Sequence, residues 1–404
     1  PAMKLLLFED KRSSFFPICQ TRIVGDLRCG ILKLRQRLEA SFPADELAYI
    51  IDEALIPLYR ERHPDWELNP QGNGDCLYIN NRLRFTEAIQ AEILELQPGN
   101  ALFSGTSLIA LRASQADGFA TEQSILEQAG IICHQSLQPK ALYEQLSDLI
   151  HDNDRLLRYD FENFFHDKEN FFETEPGVTI LNPYNVWLGD QVDLKPGVII
   201  DASDGPVVID EEAVIMHNSV IIGPCYIGKR SMIKINAKIY QGCSIGPVCK
   251  IGGEVEGSII QAYTNKQHDG FLGHAYLGEW VNIGADTNNS DLKNTYKNVA
   301  VYSYATKSKI DSGTQFMGCL IGDHVKLGIN STINTGAVLG LGSNLWGRNL
   351  ITDYIPEFSW GEAGFLSRYR LEDFIQTAST VKARRKLSLG KAEIALFKQL
   401  FATD

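Results

Sequence analysis

The sequence lacks the features that define several protein classes. No apolar run approaches the roughly 20 residues that span a bilayer, so we expect no transmembrane helix and no membrane partner. The N-terminus shows no basic region followed by a long apolar region, so we expect no secretory signal and a cytoplasmic location. The eight cysteines include no C-x-x-C pair, which leaves a zinc or redox motif unsupported and predicts no metal site.

An excess of positive charge is also missing. The formal net charge is −12 at pH 7, which argues against non-specific binding to nucleic acid. A hydrophobic fraction of 44% is ordinary for a globular protein. Because 404 residues exceed one ordinary hydrophobic core, we expect two or three domains.

A six-residue repeat dominates the second half of the chain. Every sixth residue from Ile209 to Ile251 is isoleucine, and the residue two positions earlier is small from the second repeat onward. The same period starts at Leu188 and returns between Ile321 and Leu339. The small residues are Ala213, Ser219, Cys225, Ser231, Ala237, Cys243 and Cys249.

This period predicts a parallel β-helix over roughly residues 176–345. Each hexad makes a short strand and a turn, and three hexads close one triangular coil. The aliphatic residue fills the interior and the small residue fits the crowded corner, so the cysteines at small positions are structural. Glycine often follows the aliphatic residue, where we expect a turn with positive φ; these are Gly246, Gly252, Gly322, Gly328 and Gly340.

Two breaks in the repeat are expected to be loops. The first follows Ile260 and contains His268 and His274, and the second runs from Asp286 to Asn298. Loops inserted into a solenoid cluster on one face, which is often the binding face.

The residues of the first break resemble a known family. His268-x-x-Phe271-Leu-Gly, then Asn282-Ile-Gly-Ala, then Lys297 are similar to the acetyltransferase site of the bifunctional N-acetylglucosamine-1-phosphate uridyltransferase/glucosamine-1-phosphate acetyltransferase family. The resemblance implies a left-handed β-helix, acetyl-CoA as co-substrate and a homotrimer. It also implies that His268 is the general base and that Asn282 and Lys297 hold the amino sugar and its phosphate.

Departures from the family motif bear on the acceptor. Phe271 stands where the family has tyrosine, and Glu256 stands where it has a phosphate-binding lysine. A carboxylate there would repel a phosphate, so the acceptor is either a sugar phosphate or another compound such as a nucleotide sugar. His274 is the alternative base, and Lys293 joins Phe271 among the substrate-binding candidates.

The N-terminal third predicts an α/β domain with a mostly parallel sheet. Strands are expected at Lys4–Phe8, 47–51, 76–79 and 108–112, and a helix at 27–38. The stretch from Phe16 to Leu32 resembles the opening of a diverged bacterial branch of the same family. The resemblance makes this a diverged nucleotidyltransferase-like domain.

This domain lacks two features that sugar nucleotidyltransferases use to bind a nucleotide. No glycine-rich loop follows the first strand, and no carboxylate stands at the middle strand, where Mg²⁺ would bind. Mg²⁺ is therefore expected only if this domain is active. The candidates for nucleotide binding are Arg22, Asp26, Arg28 and Asn80.

Four segments are predicted along the chain. They are the α/β domain (3–140), a linker (141–175), the β-helix (176–355) and a helical tail (356–404). In the tail, 371–386 and 391–401 have helical spacing and are expected to cap the solenoid or pack against it.

Three functions remain open from the sequence. The first is a sugar N-acyltransferase that uses acetyl-CoA. The second is a bifunctional enzyme that also forms a nucleotide sugar in the N-terminal domain. The third is a non-catalytic subunit that binds a sugar nucleotide.

Overall fold

A computed structural model describes residues 3–70, 74–113, 130–166 and 169–403. These residues form two compact units that alternate along the N-terminal part of the chain. The N-terminal unit comprises Pro1–Arg12, Arg22–Leu27 and Lys33–Glu144. The β-helix unit comprises Ser13–Thr21, Arg28–Leu32 and Gln145–Asp404.

The N-terminal unit contains a mixed six-stranded sheet of order β2-β1-β3-β5-β4-β6. Strand β1 is parallel to β2 and β3, and β5 is antiparallel to β3 and β4. The strands are β1 Lys4–Phe8, β2 Glu46–Ile50, β3 Cys76–Asn80, β4 Asn100–Ser104, β5 Ser107–Ala113 and β6 Ile132–Gln135; the helices are α1 Leu34–Ser41, α2 Ile56–Arg62 and α3 Glu87–Leu94.

The four predicted strands are therefore present, but the predicted helix at 27–38 is wrong in its first half. Helix α1 begins only at Leu34. The backbone before it bonds to side chains of the β-helix unit instead: the Arg28 N–H donates to Gln261 Oε1 and the Gly30 N–H to Asn153 Oδ1. Gly30 also has a φ of 78°, which ends any helical run there.

The β-helix unit is built from three stacked faces of parallel strands. The first face contains Thr179–Leu181, Ile199–Asp201, Val220–Ile222, Lys238–Ile239, Glu254–Glu256 and Phe271–Gly273. The second contains Val186–Leu188, Val207–Ile209, Cys225–Ile227, Cys243–Ile245, Ile259–Ala262, Tyr276–Glu279, Leu320–Ile321, Val338–Leu339 and Tyr354–Ile355. The third contains Asp193–Leu194, Val214–Ile215, Met232–Ile233, Lys250–Ile251, Asn265–Lys266, Asn282–Ile283, Lys326–Leu327, Asn344–Leu345, Ser359–Glu362 and an antiparallel Phe365–Arg368.

The strand register confirms the six-residue repeat. Ile209, Ile227 and Ile245 are direct partners on the second face, and all three are fully buried. Cys225 and Cys243 pair two positions earlier, and burial raises the pKa of the Cys243 thiol to about 12. The architecture agrees with the α/β part, left-handed β-helix and C-terminal helices predicted from the sequence.

Positive φ was the expected reason for glycine after the aliphatic residues, and that expectation is wrong. Gly246 and Gly340 do not have positive φ. A Cβ on Gly246 would instead lie 1.8 Å from the Gln261 carbonyl oxygen of the next coil. Glycine is required there because two coils approach closely. The left-handed conformation falls on nearby corner residues such as Val248 and Asn236, with φ of 57° and 60°.

The first predicted loop is also wrong, because the coils continue through it. The strands Asn265–Lys266, Phe271–Gly273, Tyr276–Glu279 and Asn282–Ile283 all pair with coils below. The polar Lys266 occupies an interior position there, which hides the repeat.

The second predicted loop is present but starts later. Asn288–Asn289 is still a coil strand, paired with Thr332–Ile333. Residues 290–318, called the excursion below, then leave the solenoid. They contain an antiparallel hairpin of Ala300–Ser303 and Ser308–Asp311.

Helices flank the solenoid. Helix α4, Leu146–Asp160, and its π-helical extension Phe161–Phe165 fall in the predicted linker, yet Asn153 of α4 donates to the Gly242 carbonyl and to Ser244 of the β-helix. The predicted tail helices are present as α5, Leu371–Ala383, and α6, Lys391–Ala402. They pack along the side of the β-helix in an apolar cluster of Leu341, Phe358, Tyr369, Phe374 and Phe397. No helix among the described residues is long and apolar enough to cross a membrane.

Candidate functional site

His268 lies at the corner between the third and first faces. It sits in the turn between Asn265–Lys266 and Phe271–Gly273, and its side chain is exposed. Asn265 pairs with Asn282 in the next coil. The Asp286 N–H donates to the Asp269 carbonyl over 3.0 Å, so the turn of His268 lies directly under the turn that follows Asn282. The structure therefore brings His268 and Asn282 to one corner in successive coils.

His274 lies at the other end of the same first-face strand. Its Nδ1 is 2.8 Å from Asp291 Oδ2, and its ring packs on Phe316 with the ring centroids 5.6 Å apart. A Cβ on Gly273 would meet both the Phe271 ring and the Asp291 carboxylate at about the same distance, 2.4 and 2.5 Å. Phe271 therefore lies with His274 and Asp291. A carboxylate on Nδ1 fixes the ring and leaves Nε2 to exchange a proton.

The two histidines do not form one site within this chain. A complete first-face strand separates them, and six extended residues span up to roughly 20 Å. His268 and Asn282 make one group, whereas Phe271, His274 and Asp291 make another. These corners are named the His268 corner and the His274 corner below.

The two predicted substrate lysines stand on the excursion. Asp291 and Leu292 at its base pair with Phe316 and Met317, which places this base at the His274 corner. Lys293 follows two residues after Asp291, and Lys297 is exposed further out. The excursion that carries Lys297 therefore starts at the end of the first-face strand where His274 lies, not at the corner of His268 and Asn282.

Asp26 and Asn80 are already hydrogen-bonded inside the N-terminal unit. Arg35 Nε lies 2.7 Å from Asp26 Oδ1, and the Tyr59 hydroxyl donates to the same carboxylate. Burial alone would raise the pKa of Asp26, but Lys33, Arg35 and Tyr59 lower it below its ordinary value. The Asn80 amide donates to Asp10 Oδ1 and to the Leu108 carbonyl.

The predicted arginines are buried. Arg22 is 4% exposed. Arg28 belongs to the β-helix unit, where its guanidinium donates to the Ile31 carbonyl and lies 5.4 Å from the centre of the Tyr226 ring.

Sequence reasoning missed two residues next to the candidate histidines. Asp291 follows His274 by 17 residues, close to one coil of the solenoid, so the repeat length could have paired them. Lys266 is 2% exposed, and its Nζ donates to the His268 carbonyl over 2.8 Å. Nothing in the repeat pattern signals a buried lysine, because the pattern predicts aliphatic residues at such positions.

Comparison with known proteins gives matches for both units. Residues 5–169 match the family model described as sugar nucleotidyl transferase. The bifunctional protein GlmU of Streptococcus equi subsp. zooepidemicus is 26% identical over 285 residues, covering 64% of this chain and 57% of that protein. GlmU of Staphylococcus haemolyticus is 26% identical over 54% of this chain and 48% of its own. The chain spans about half the length of these curated relatives.

Solved structures with related shape are more distant. A UDP-N-acetylglucosamine acyltransferase from Campylobacter jejuni is 14% identical, covers 57% of this chain and 84% of its own, and has a TM-score of 0.30. Residues 5–169 are thus similar to the sugar nucleotidyl transferase family, and the chain is similar to bifunctional GlmU proteins over 54–64% of its length.

Proposed function

We propose that the β-helix unit is an N-acyltransferase that moves an acyl group from acyl-CoA to an amino group of a sugar phosphate or nucleotide sugar. The observation that supports it best is the stacking of the His268 turn against the Asn282 coil. The homology to bifunctional GlmU proteins supports the same assignment. Acetyl-CoA is the donor that the family resemblance implies.

The proposed reaction needs a base close to the acceptor amine. Histidine is the side chain that most often transfers protons in enzymes, and in this proposal the His268 imidazole takes a proton from the amine as it attacks the thioester carbonyl. The tetrahedral intermediate then collapses, and the thiolate leaves with the proton from the imidazolium. In this proposal Asn282, which is exposed in the next coil, hydrogen-bonds the acceptor sugar.

The His274–Asp291 pair is the alternative base. Its 2.8 Å contact gives His274 the orienting carboxylate that is typical of catalytic histidines. In that case Lys293 and Lys297 on the excursion would lie on the same side of the coil as the base. The two corners predict different inactive variants, so mutagenesis separates them.

The charge of Glu256 bears on the choice of acceptor. Glu256 ends a first-face strand and pairs with Gly273, so it lies one coil below the His274 corner. Its carboxylate disfavours a phosphate nearby. With His274 as the base, a nucleotide sugar, whose phosphates lie further from the amine, would therefore be a better acceptor than a sugar 1-phosphate. With His268 as the base, Glu256 lies at the other end of the first-face strand and does not select between the two acceptors.

A thiol-release assay tests this proposal. Acetyl-CoA is incubated with the full chain and, in parallel, with a free amino sugar, an amino-sugar 1-phosphate and a nucleotide amino sugar. We expect acceptor-dependent release of thiol with the amino-sugar 1-phosphate or the nucleotide amino sugar as acceptor. Binding of nucleotide sugars with no thiol release from any acyl-CoA would favour a non-catalytic binding subunit.

Nucleotidyl transfer is a second candidate function, favoured by the family match over residues 5–169. Two carboxylates follow β1 where the phosphates of a nucleotide would approach. Asp10 is neutralised by Arg82, whose Nε lies 2.6 Å from Asp10 Oδ1, and burial raises the pKa of Glu9 to about 7. Incubation with UTP, Mg²⁺ and a sugar 1-phosphate, followed by pyrophosphate detection, tests this activity.

A further inference from the structure

Lys266 occupies a position that the architecture reserves for aliphatic residues. On the third face, Ile233 pairs with Ile251 in the next coil, and Ile251 pairs with Lys266 in the coil after that. These stacked interior residues form a column. The next coils continue that column with Ile283 and Leu327. Lys266 is only 2% exposed, so a long polar side chain is enclosed by the solenoid interior. Burying an ammonium group costs free energy unless its N–H groups are bonded.

The ammonium group reaches the His268 corner from inside. Its Nζ donates to the Gly252 carbonyl over 2.9 Å and to the His268 carbonyl over 2.8 Å. These acceptors belong to successive coils. A Cβ on Gly253, which has a φ of 71°, would lie 2.7 Å from Nζ and 2.6 Å from the His268 oxygen, so glycine leaves room for the contact.

We infer that Lys266 is a positioning residue of the acyltransferase site, whose ammonium group ties the turn of His268 to the coil beneath it. The inference rests on the proposed function with His268 as the base. Charge-assisted hydrogen bonds are stronger than neutral ones, so two of them fix the backbone of a corner that carries an exposed side chain. Proximity then matters, since misplacing a base by 1 Å costs up to about a hundredfold in rate.

The charged groups around Lys266 keep it protonated near neutral pH. Burial lowers its pKa to about 8, Asp269 and Glu254 act to raise it, and Lys238 acts to lower it. The two hydrogen bonds are therefore charge-assisted at pH 7 and weaken as the pH rises above 8.

The direct test replaces Lys266 with methionine, which has a similar length and suits an aliphatic column. The matched control is Ile251→Met, one coil lower in the same column. The reporters are the amides of Glu254 and Asp286, which donate to the carbonyls of Gly270 and Asp269 in the turn. We expect their hydrogen exchange in Lys266→Met to be about tenfold faster than in Ile251→Met, with no loss of melting temperature. Equal exchange in the two variants overturns the inference.

Kinetics give a second readout. In Lys266→Met we expect kcat for acyl transfer to fall about 10- to 100-fold with KM within about threefold, because the base is displaced while the acceptor contacts remain. A folded variant with wild-type kcat overturns the inference. A wild-type chain with no acyl transfer instead contradicts the proposed function, and the exchange comparison still decides the role of Lys266.

If Lys266→Met does not fold, a pH series on the wild-type protein still tests the inference. Between pH 7 and 9.5 the exchange of the Glu254 and Asp286 amides, corrected for intrinsic rates, should accelerate relative to that of Val220, whose acceptor is Ala237. A ratio that stays constant across this range counts against the ammonium group as the tie.

Discussion

At the scale of single residues, the N-terminal unit contains a buried carboxyl group directly after β1. The Glu9 side chain is 5% exposed, and its Oε2 accepts from the Val24 N–H over 2.7 Å. Burial raises the pKa of Glu9 to about 7, even though the Val24 bond and Arg12 act to lower it. The folded state therefore favours the protonated form of this group.

This pKa fixes the sign of a pH effect on stability. Between pH 4.5 and 7 the folded state keeps a proton that the unfolded chain has lost, so stability decreases as the pH rises through this range. Raising the pKa of Glu9 from 4.5 to about 7 corresponds to a loss of roughly 3 kcal/mol in the free energy of unfolding across this range. Glu9→Gln keeps the acceptor for Val24 and should remove most of this pH dependence.

Hydrogen exchange of the β1 amides at pH 5 and pH 8 measures the effect. The exposed Glu53→Gln is the matched control and should behave like the wild type. If Glu9→Gln shows the same loss of protection as the wild type between these two pH values, the buried carboxyl group is not its source.

At the scale of elements, substitutions at interior and outward positions of one strand test the register of the coils. Ile233 is fully buried, whereas its neighbour Met232 points outward and is half-buried. Ile233→Asp places an unpaired carboxylate in the interior and should cost several kcal/mol, enough to give insoluble protein. Met232→Asp should cost much less. Both variants are compared by soluble yield and thermal unfolding, and equal effects would contradict the register.

The sequence predicts coils well where the aliphatic positions and the small positions both repeat regularly. It predicts them less well where polar residues occupy interior positions. Between Ile209 and Ile251 the period alone places every strand. Beyond Ile260 the interior positions include Lys266 and Asn289, and the Asn289 amide hydrogen-bonds both backbone groups of Gly273. Such polar residues are tolerated because local partners satisfy them, and a hydrophobic pattern cannot anticipate those partners.

The candidate site was predictable as a list of residues but not as an arrangement. Spacing and resemblance selected His268, Asn282 and Lys297. The structure places Lys297 on an excursion that starts at the His274 corner. Sequence spacing does not reveal at which corner of a triangular coil a residue falls, because shortened steps between coils change the phase.

At the scale of the whole molecule, we predict a homotrimer, as the family resemblance implies. Trimer formation would also explain exposed apolar residues near the corner between the third and first faces, such as Ile235 at 53% and Ile329 at 66% exposure. It would allow a neighbouring copy to supply lysines to the His268 corner. Light scattering at micromolar concentration should give about three times the chain mass of 45.1 kDa; a stable monomer would count against the prediction.

The acyltransferase assignment depends most directly on which histidine is the base. The decisive measurement is the rate of thiol release from acetyl-CoA, with one acceptor, for the wild type, His268→Ala and His274→Ala. We predict a loss of about 10²- to 10⁴-fold in His268→Ala, an unchanged melting temperature because the side chain is exposed, and a much smaller loss in His274→Ala. An inactive His274→Ala beside an active His268→Ala would move the base to the His274–Asp291 pair, and full activity in both variants would contradict the mechanism.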